Sequence, residues 1–314
     1  MHSENSAVLT AKDLHPDVLS ELGPRTLAGY NSITEEAATI LVQEFCDLFL
    51  DGLTAITPAV AEILSQHRGL LLSLDGLKDI DAEVAEALSA YKGMLLLNGL
   101  EQLDTEVAKA LGKHEGGLEL NGITSLDEDI AQCFAKVYGH LPSLSLNGLV
   151  SIDPSVASIL VNETKSDTDS HSTDSTEEVF NDLLTHRTLS LGGLQILSIE
   201  LAEVLAHHKG MLILNGISNL EMAVAQKLAA FKGTLLALDG IERLDKDAEL
   251  ELRKIRGVLS LDSLAHDDLD NHNIQLDNDR RRSRFVYDSD DVEQLGLNKP
   301  DNEANDHLDS NDDH

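Results

Sequence analysis

Apolar positions in this chain recur with a fixed period, and the period is longer than any single helix or strand. The word Leu-x-Leu-x-Gly-(Leu/Ile) occurs eight times, with its glycines at Gly52, Gly76, Gly99, Gly122, Gly148, Gly193, Gly216 and Gly240. Successive glycines are 24, 23, 23, 26, 45, 23 and 24 residues apart, so the 45 is one repeat plus an insertion. Registered on the glycine, the columns resolve. Leucine stands four and two residues before it in all eight copies. Leu or Ile follows it directly and again four residues on, as in Leu77 and Ile80. Eight, nine and twelve residues on come mostly Val, Ala and Leu, as in Val84, Ala85 and Leu88.

Each column predicts an element. Leu-x-Leu has period two, so both leucines share one face of a short strand. The Asn-Gly or Asp-Gly that follows, as in Asn98-Gly99, predicts a turn in which glycine accepts positive φ. The column five after the glycine reads Thr57, Asp81, Asp104, Asp127, Asp153, Ser198, Glu221 and Asp245, mostly good helix N-caps. Pro58 and Pro154 stand at the first helical position after it. The apolar residues eight, nine and twelve on form one helical stripe. A glycine closes the helix at Gly69, Gly93, Gly116, Gly139, Gly210, Gly233 or Gly257. Each unit is therefore expected to be a strand, a turn, a helix of about three turns and a return turn.

No single unit can bury its own leucines, so neighbouring units must do it. Strands pack roughly 4.8 Å apart and helices roughly 8–10 Å apart, so a stack of such units is expected to curve, with strands inside. The pattern resembles the leucine-rich repeat family. The order Leu-x-Leu-x-x-Leu-x-x-Ile-Asp from Leu72 to Asp81 is most similar to its short bacterial and cysteine-containing variants, with Leu77 in the usual cysteine place. The resemblance covers roughly residues 14–264. It implies a curved α/β solenoid with a parallel concave sheet and convex helices, which binds proteins on the strand face. It brings no shared catalytic residues.

Three regions depart from the repeat. Residues 1–46 hold degenerate copies: Leu14, Val18 and Leu22, then Ile33, Thr34, Ala37, Ala38 and Leu41. They are expected to cap the array, whose strong repeats run over 47–264. An insertion at 163–178 is rich in Ser, Thr and Asp and too polar to fold alone. It reads as a loop, or as a segment for phosphorylation or partner binding. From Ala265 to His314 the chain is acidic and Asn-rich, which predicts a disordered tail. Arg280, Arg281, Arg282 and Arg284 form one basic block beside Phe285 and Tyr287. This block reads as a counterweight folding back on the acidic body, or as a clamp for an acidic partner or RNA.

Composition narrows the functional classes. The net charge is −33, with 56 acidic against 23 basic residues, which argues against nucleic-acid binding because phosphate neutralisation needs a positive surface. Aromatics are 3% and Trp is absent, so the core must be thin and aliphatic. Cys46 and Cys133 have no metal or disulfide spacing, and Cys133 falls where neighbouring repeats carry Ala. Residues 1–13 lack an apolar signal core and no run of about 20 apolar residues exists, so the expected place is the cytoplasm, away from membranes.

Two ladders raise chemical possibilities. His67, Tyr91, His114, His208 and Phe231 lie fifteen residues after their glycines, with His186 equivalent after the insertion. Helices 8–10 Å apart cannot bring two such imidazoles to one metal ion, so packing is the expected role. The column Asp51, Asp75, Asn98, Asn121, Asn147, Asn215 and Asp239 could hold calcium, but side-chain bonding to the turn backbone is the expected role. No cofactor, metal or catalytic set is expected. The candidate partner surface is the residue between the two strand leucines: Phe49, Ser73, Leu96, Glu119, Ser145, Ser190, Ile213 and Ala237. Phe49, Leu96 and Ile213 offer seats for apolar side chains of a protein partner. The alternatives are a column drifted to small residues, or one covered by the tail. The function expected is a non-catalytic, monomeric protein-interaction scaffold. A regulatory or exported effector acting through the loop or tail is the second possibility.

Overall fold

The computed structural model describes residues 7–137, 143–161 and 187–261, with backbone only at 136 and 137. The insertion at 163–178, His186, Gly139, the tail and the Arg280–Arg284 block lie outside the described residues. The chain is an α/β array of alternating short strands and helices. Strands β3 (Leu48–Phe49), β4 (Leu71–Ser73), β5 (Met94–Leu96), β6 (Leu118–Glu119), β7 (Ser143–Ser145), β8 (Thr188–Ser190), β9 (Met211–Ile213), β10 (Leu235–Ala237) and β11 (Val258–Ser260) form one nine-stranded sheet in chain order. Every strand pair in it is parallel. Helices α3 (Pro58–Leu64), α4 (Ala82–Ser89), α5 (Thr105–Leu111), α6 (Glu128–Val137), α7 (Pro154–Val161), α8 (Ile199–Leu205), α9 (Met222–Leu228) and α10 (Lys246–Leu252) alternate with them. Each packs on the next along the array. This arrangement is compatible with a repeat solenoid. The insertion does not interrupt it, because β7 pairs with β8 and α7 packs on α8.

The leucine columns make the core. The strand leucines four and two before each glycine are at most 1% exposed in all eight repeats, as at Leu95 and Leu97. From α3 to α7 the residues eight, nine and twelve after the glycine are buried as well. Phe134 fills the twelfth position in α6, and Cys133 beside it is a small buried side chain. At the front, Thr34 caps α2 (Glu35–Leu41), which buries Ala37, Ala38 and Leu41. A single turn, α1 (Pro16–Leu19), starts at Pro16. A two-stranded parallel pair, β1 (Val8–Leu9) with β2 (Ser32–Ile33), precedes the main sheet.

N-capping follows the predicted column at most positions. Thr57, Asp81, Asp104, Asp127 and Ser198 each accept from the backbone N–H three residues on, at 2.8–3.3 Å. Asp153 instead accepts from Ser155 N–H, and Glu221 and Asp245 make no cap bond.

Two expectations about the helices and glycines are corrected. Most helices of the array have seven or eight residues, about two turns rather than three. They also end before the return glycine: α4 ends at Ser89 with Ala90 still right-handed, and Gly93 comes three residues later. No described glycine has φ in the left-handed region, so positive φ is not what selects them. Close approach is. A Cβ on Gly76 would lie 2.3 Å from the Asp51 carbonyl oxygen and 2.4 Å from that of Leu53. On Gly116 it would lie 1.9 Å from the Gly93 carbonyl oxygen. Both glycine columns thus sit where the backbone of one repeat rests on the backbone of the one before.

Candidate interaction surface

Strand alternation decides which side chains can meet a partner. The leucines four and two before the glycine point into the core, so the residues five, three and one before it point outward. Parallel register lines these up across repeats. Phe49, Ser73, Leu96, Glu119, Ser145, Ser190, Ile213 and Ala237 form one continuous cross-strand row, ending at Ser260.

All eight point outward, but the row is not uniformly accessible. Ser73 is 1% exposed, Ala237 5%, Ser190 8% and Ser145 9%. They are small side chains among larger neighbours, and the serines are tied down as well. Ser73 Oγ donates to Asp51 Oδ1 at 2.5 Å, Ser145 Oγ to Asn121 Oδ1 at 2.7 Å, and Ser190 Oγ to Asn147 Oδ1 at 2.7 Å. Phe49, Leu96, Glu119 and Ile213 keep part of their surface.

A second row was missed. Five residues before the glycine stand Asp47, which is exposed, then Leu71, Met94, Ser143, Thr188, Met211 and Leu235, continued by Val258 in β11, these last seven all half-buried. Their signal was the same two-residue alternation carried one step toward the N-terminus. Leu71 pairs with Met94, and Thr188, Met211, Leu235 and Val258 follow one another. Together the rows make two apolar areas. One joins Phe49, Leu71, Met94 and Leu96; the other joins Met211, Ile213, Leu235 and Val258. Between them lie Glu119, Ser143, Ser145, Thr188 and Ser190. Gly117 leaves a gap in the second row that Met94 spans, its Sδ 4.0 Å from Ser143 Oγ. A Cβ on Gly117 would meet Met94 Cε at 2.5 Å.

The Asp/Asn column is a ladder between repeats rather than a set of bonds within each turn. Asp51 Oδ1 accepts from Asp75 N–H at 3.2 Å, and Asp75 Oδ1 from Asn98 N–H at 2.8 Å. Asn98 Oδ1 accepts from Asn121 N–H at 2.9 Å, and Asn121 Oδ1 from Asn147 N–H at 2.9 Å. Asn147 Oδ1 accepts from Gly192 N–H at 2.6 Å, and Asn215 Oδ1 from Asp239 N–H at 3.1 Å. Glu119 Oε2 accepts from both Asn98 Nδ2 and Asn121 Nδ2. The only acid in the three-before row is thereby held in place by two amides.

The ring ladder is buried packing with a polar edge. His67 and Tyr91 stack with centroids 6.2 Å apart, and Tyr91 and His114 at 6.3 Å. One polar atom of each of these rings reaches a backbone carbonyl in the return turn of the preceding repeat. His67 Nε2 donates to Cys46 at 3.0 Å, Tyr91 Oη to Gly69 at 2.9 Å and His114 Nε2 to Gly93 at 3.1 Å. His208 Nε2 lies 3.3 Å from the Arg187 carbonyl. His67 Nδ1 is buried with no partner among the described residues, which fits a neutral ring with its proton on Nε2. Burial holds His67 and His114 below the usual imidazole range and pushes the Tyr91 phenol up to about 12. Tyr91 stands between the two histidines of this stack, His67 and His114. Among the described residues no three His, Cys, Asp or Glu side chains converge as a metal site. His207 is exposed, its Nδ1 2.8 Å from the Glu203 carbonyl.

No protein-family profile matches the chain, and no curated protein matches it either. Among the described residues, no helix is long and apolar enough to cross a membrane.

Proposed function

We propose that the chain is a leucine-rich-repeat solenoid acting as a non-catalytic scaffold, which binds a protein partner on its strand face. The carrying observation is the pair of apolar areas on a sheet face that no described segment covers. Core leucines behind that face are sealed, while Phe49, Leu71, Met94 and Leu96, and then Met211, Ile213, Leu235 and Val258, stay partly open. Their middle strands, β4 and β10, are six strand spacings apart, or roughly 29 Å at ordinary strand spacing. A partner is therefore contacted at two apolar anchors with a polar stretch between them. The face is also pre-ordered: the Asp/Asn ladder fixes the turns and the amides fix Glu119, so little side-chain freedom is lost on binding.

In this reading strands lie on the concave side, because they pack more closely than helices. The protein acts as a monomer, away from nucleic acid and membranes, with no cofactor.

The test is capture of partners by the full chain, compared with Leu96→Asp and Ile213→Asp. Both sites are on the outer face, so both variants should keep the circular dichroism and melting of the unaltered chain. Each should lower recovery of the same partner at least tenfold, since an unpaired charge at an apolar anchor costs more than about 1.4 kcal/mol. Undiminished recovery by both variants would place binding elsewhere.

A further inference from the structure

The nine-stranded sheet ends at β3 and at β11, and the β11 end leaves its core leucines partly open whereas Leu48 and Leu50 at the β3 end are 1% exposed. Strand β11 pairs only with β10 among the described residues. Two observations mark its outer edge as prepared for a further strand.

The first is a donor. In every repeat the N–H of the leucine two before the glycine donates to the carbonyl of the central residue of the next strand. Leu191 donates to Ile213 at 2.9 Å, Leu214 to Ala237 at 2.9 Å and Leu238 to Ser260 at 3.0 Å. Leu261 is the next leucine of that column, and its N–H has no acceptor among the described residues. The second is burial. Leu259 and Leu261 are half-buried, whereas their equivalents in the eight repeats are at most 1% exposed. The edge thus offers both an unused backbone donor and uncovered core leucines.

We propose that the chain completes this edge itself, with Ile274–Asn278 docking as a parallel strand outside β11. These residues lie outside the described part, so the open edge and the sequence carry the assignment. Ile274-Gln275-Leu276-Asp277-Asn278 matches Leu72-Ser73-Leu74-Asp75-Gly76 position for position, with Asn where the glycine stands. Ile274 covers Leu259, Leu276 covers Leu261, and the Gln275 carbonyl accepts from Leu261 N–H. The connection, residues 262–273, is 12 residues long. A parallel crossover needs about a dozen, so it is just sufficient. Asn278 tolerates a turn, but its Cβ prevents the tight stacking that glycine allows, so the unit ends the array rather than extending it. A strand docked here also denies the edge to a second copy of the chain. The proposal is independent of what the strand face binds.

The test is amide hydrogen exchange on the full chain, read at single residues. The Leu261 amide should exchange at least about 100-fold more slowly than an unstructured amide, at every protein concentration. The double variant Ile274→Asp/Leu276→Asp should release Leu261 while leaving Leu238 protected, which shows that the array is still folded. The double variant Phe285→Asp/Tyr287→Asp should leave Leu261 protected. Free exchange at Leu261 in the unaltered chain would overturn the proposal. So would protection that vanishes on dilution, which would mean a second copy on the edge. Protection that survives Ile274→Asp/Leu276→Asp, or is lost in Phe285→Asp/Tyr287→Asp, would name a different occupant.

Discussion

Replacing Gly99 by alanine tests whether backbone contact between repeats is what selects the turn glycine. A Cβ at this site would lie 2.1 Å from the Asp75 carbonyl oxygen and 2.4 Å from that of Leu77. Carbon–oxygen contacts ordinarily stop at about 3.3 Å, so the two turns must separate by about 1 Å. The bonds that join them leave little slack: Asn98 N–H to Asp75 Oδ1 is 2.8 Å and Leu74 N–H to the Leu96 carbonyl is 2.9 Å. Losing both costs about 1–3 kcal/mol, and overpacking adds about 1–3 kcal/mol more. Alanine also stiffens the unfolded chain, which returns about 0.4–1 kcal/mol because φ here is not left-handed. The net expectation is a loss of about 2–5 kcal/mol. Gly29 is the control, since its added Cβ meets nothing within 4 Å. Gly29→Ala should be neutral or slightly stabilising. The chain has no Trp, so urea unfolding is best followed by far-ultraviolet circular dichroism. A Gly99→Ala variant within about 1 kcal/mol of the unaltered chain, or a Gly29→Ala variant equally damaged, would refute the reasoning.

Other perturbations address the ladders and caps. Burial lowers the folded-state pKa of His67 and His114, so stability is full above the unfolded value near 6.5 and falls as pH drops below it toward the lowered values. Thermal melts at pH 7 and pH 5 should show that fall, and His114→Phe should lessen it, because Phe231 already occupies this column. Tyr91, with its pKa pushed up to about 12, should ionise well above the ordinary phenol value near 10 in an ultraviolet titration and destabilise the fold above about pH 10. Asn98→Asp would set a new charge beside Asp75 Oδ2 and Glu119 Oε2, now 3.1 and 3.3 Å from Asn98 Nδ2. It should cost about 1–3 kcal/mol in urea unfolding, partly recovered in high salt. Asp104→Ala removes the cap on Val107 N–H and should cost about 1 kcal/mol.

The elements were legible because stacking repeats every constraint. A Leu-x-Leu pair read once is ambiguous, but eight copies in register can only be strands sharing a core, and β3 to β10 fall on them. The N-cap column was equally plain at Thr57, Asp81 and Asp104, where a side-chain oxygen and a backbone donor are three residues apart. What the sequence hid were relations between repeats. Glycine and Asn/Asp look like a local turn signal, yet Gly76 is required by the Asp51 and Leu53 carbonyls of the preceding unit. Asn98 likewise serves Asn121, 23 residues on. The low exposure of half of the candidate row was hidden for the same reason. Alternation shows that Ser73 points outward, but not that its neighbours and Asp51 leave it 1% exposed.

These inter-repeat contacts also restrict where a function can evolve on such an array. The leucine columns, the turn glycines, the Asp/Asn ladder and the ring ladder each touch an adjoining unit, so a change in any of them is felt by two repeats at once. The residues five and three before the glycine pair with neighbouring strands through their backbone, but their side chains lie on the outer face, so a change of side chain leaves those bonds in place. There Phe, Ser, Leu, Glu, Ile and Ala all occupy equivalent strand centres without breaking the register. Variation that the stack tolerates and selection for a partner therefore converge on the same two rows. Under the proposed scaffold role, Leu96 and Ile213 are the decisive positions, and the buried serines between them set the spacing of the two apolar areas.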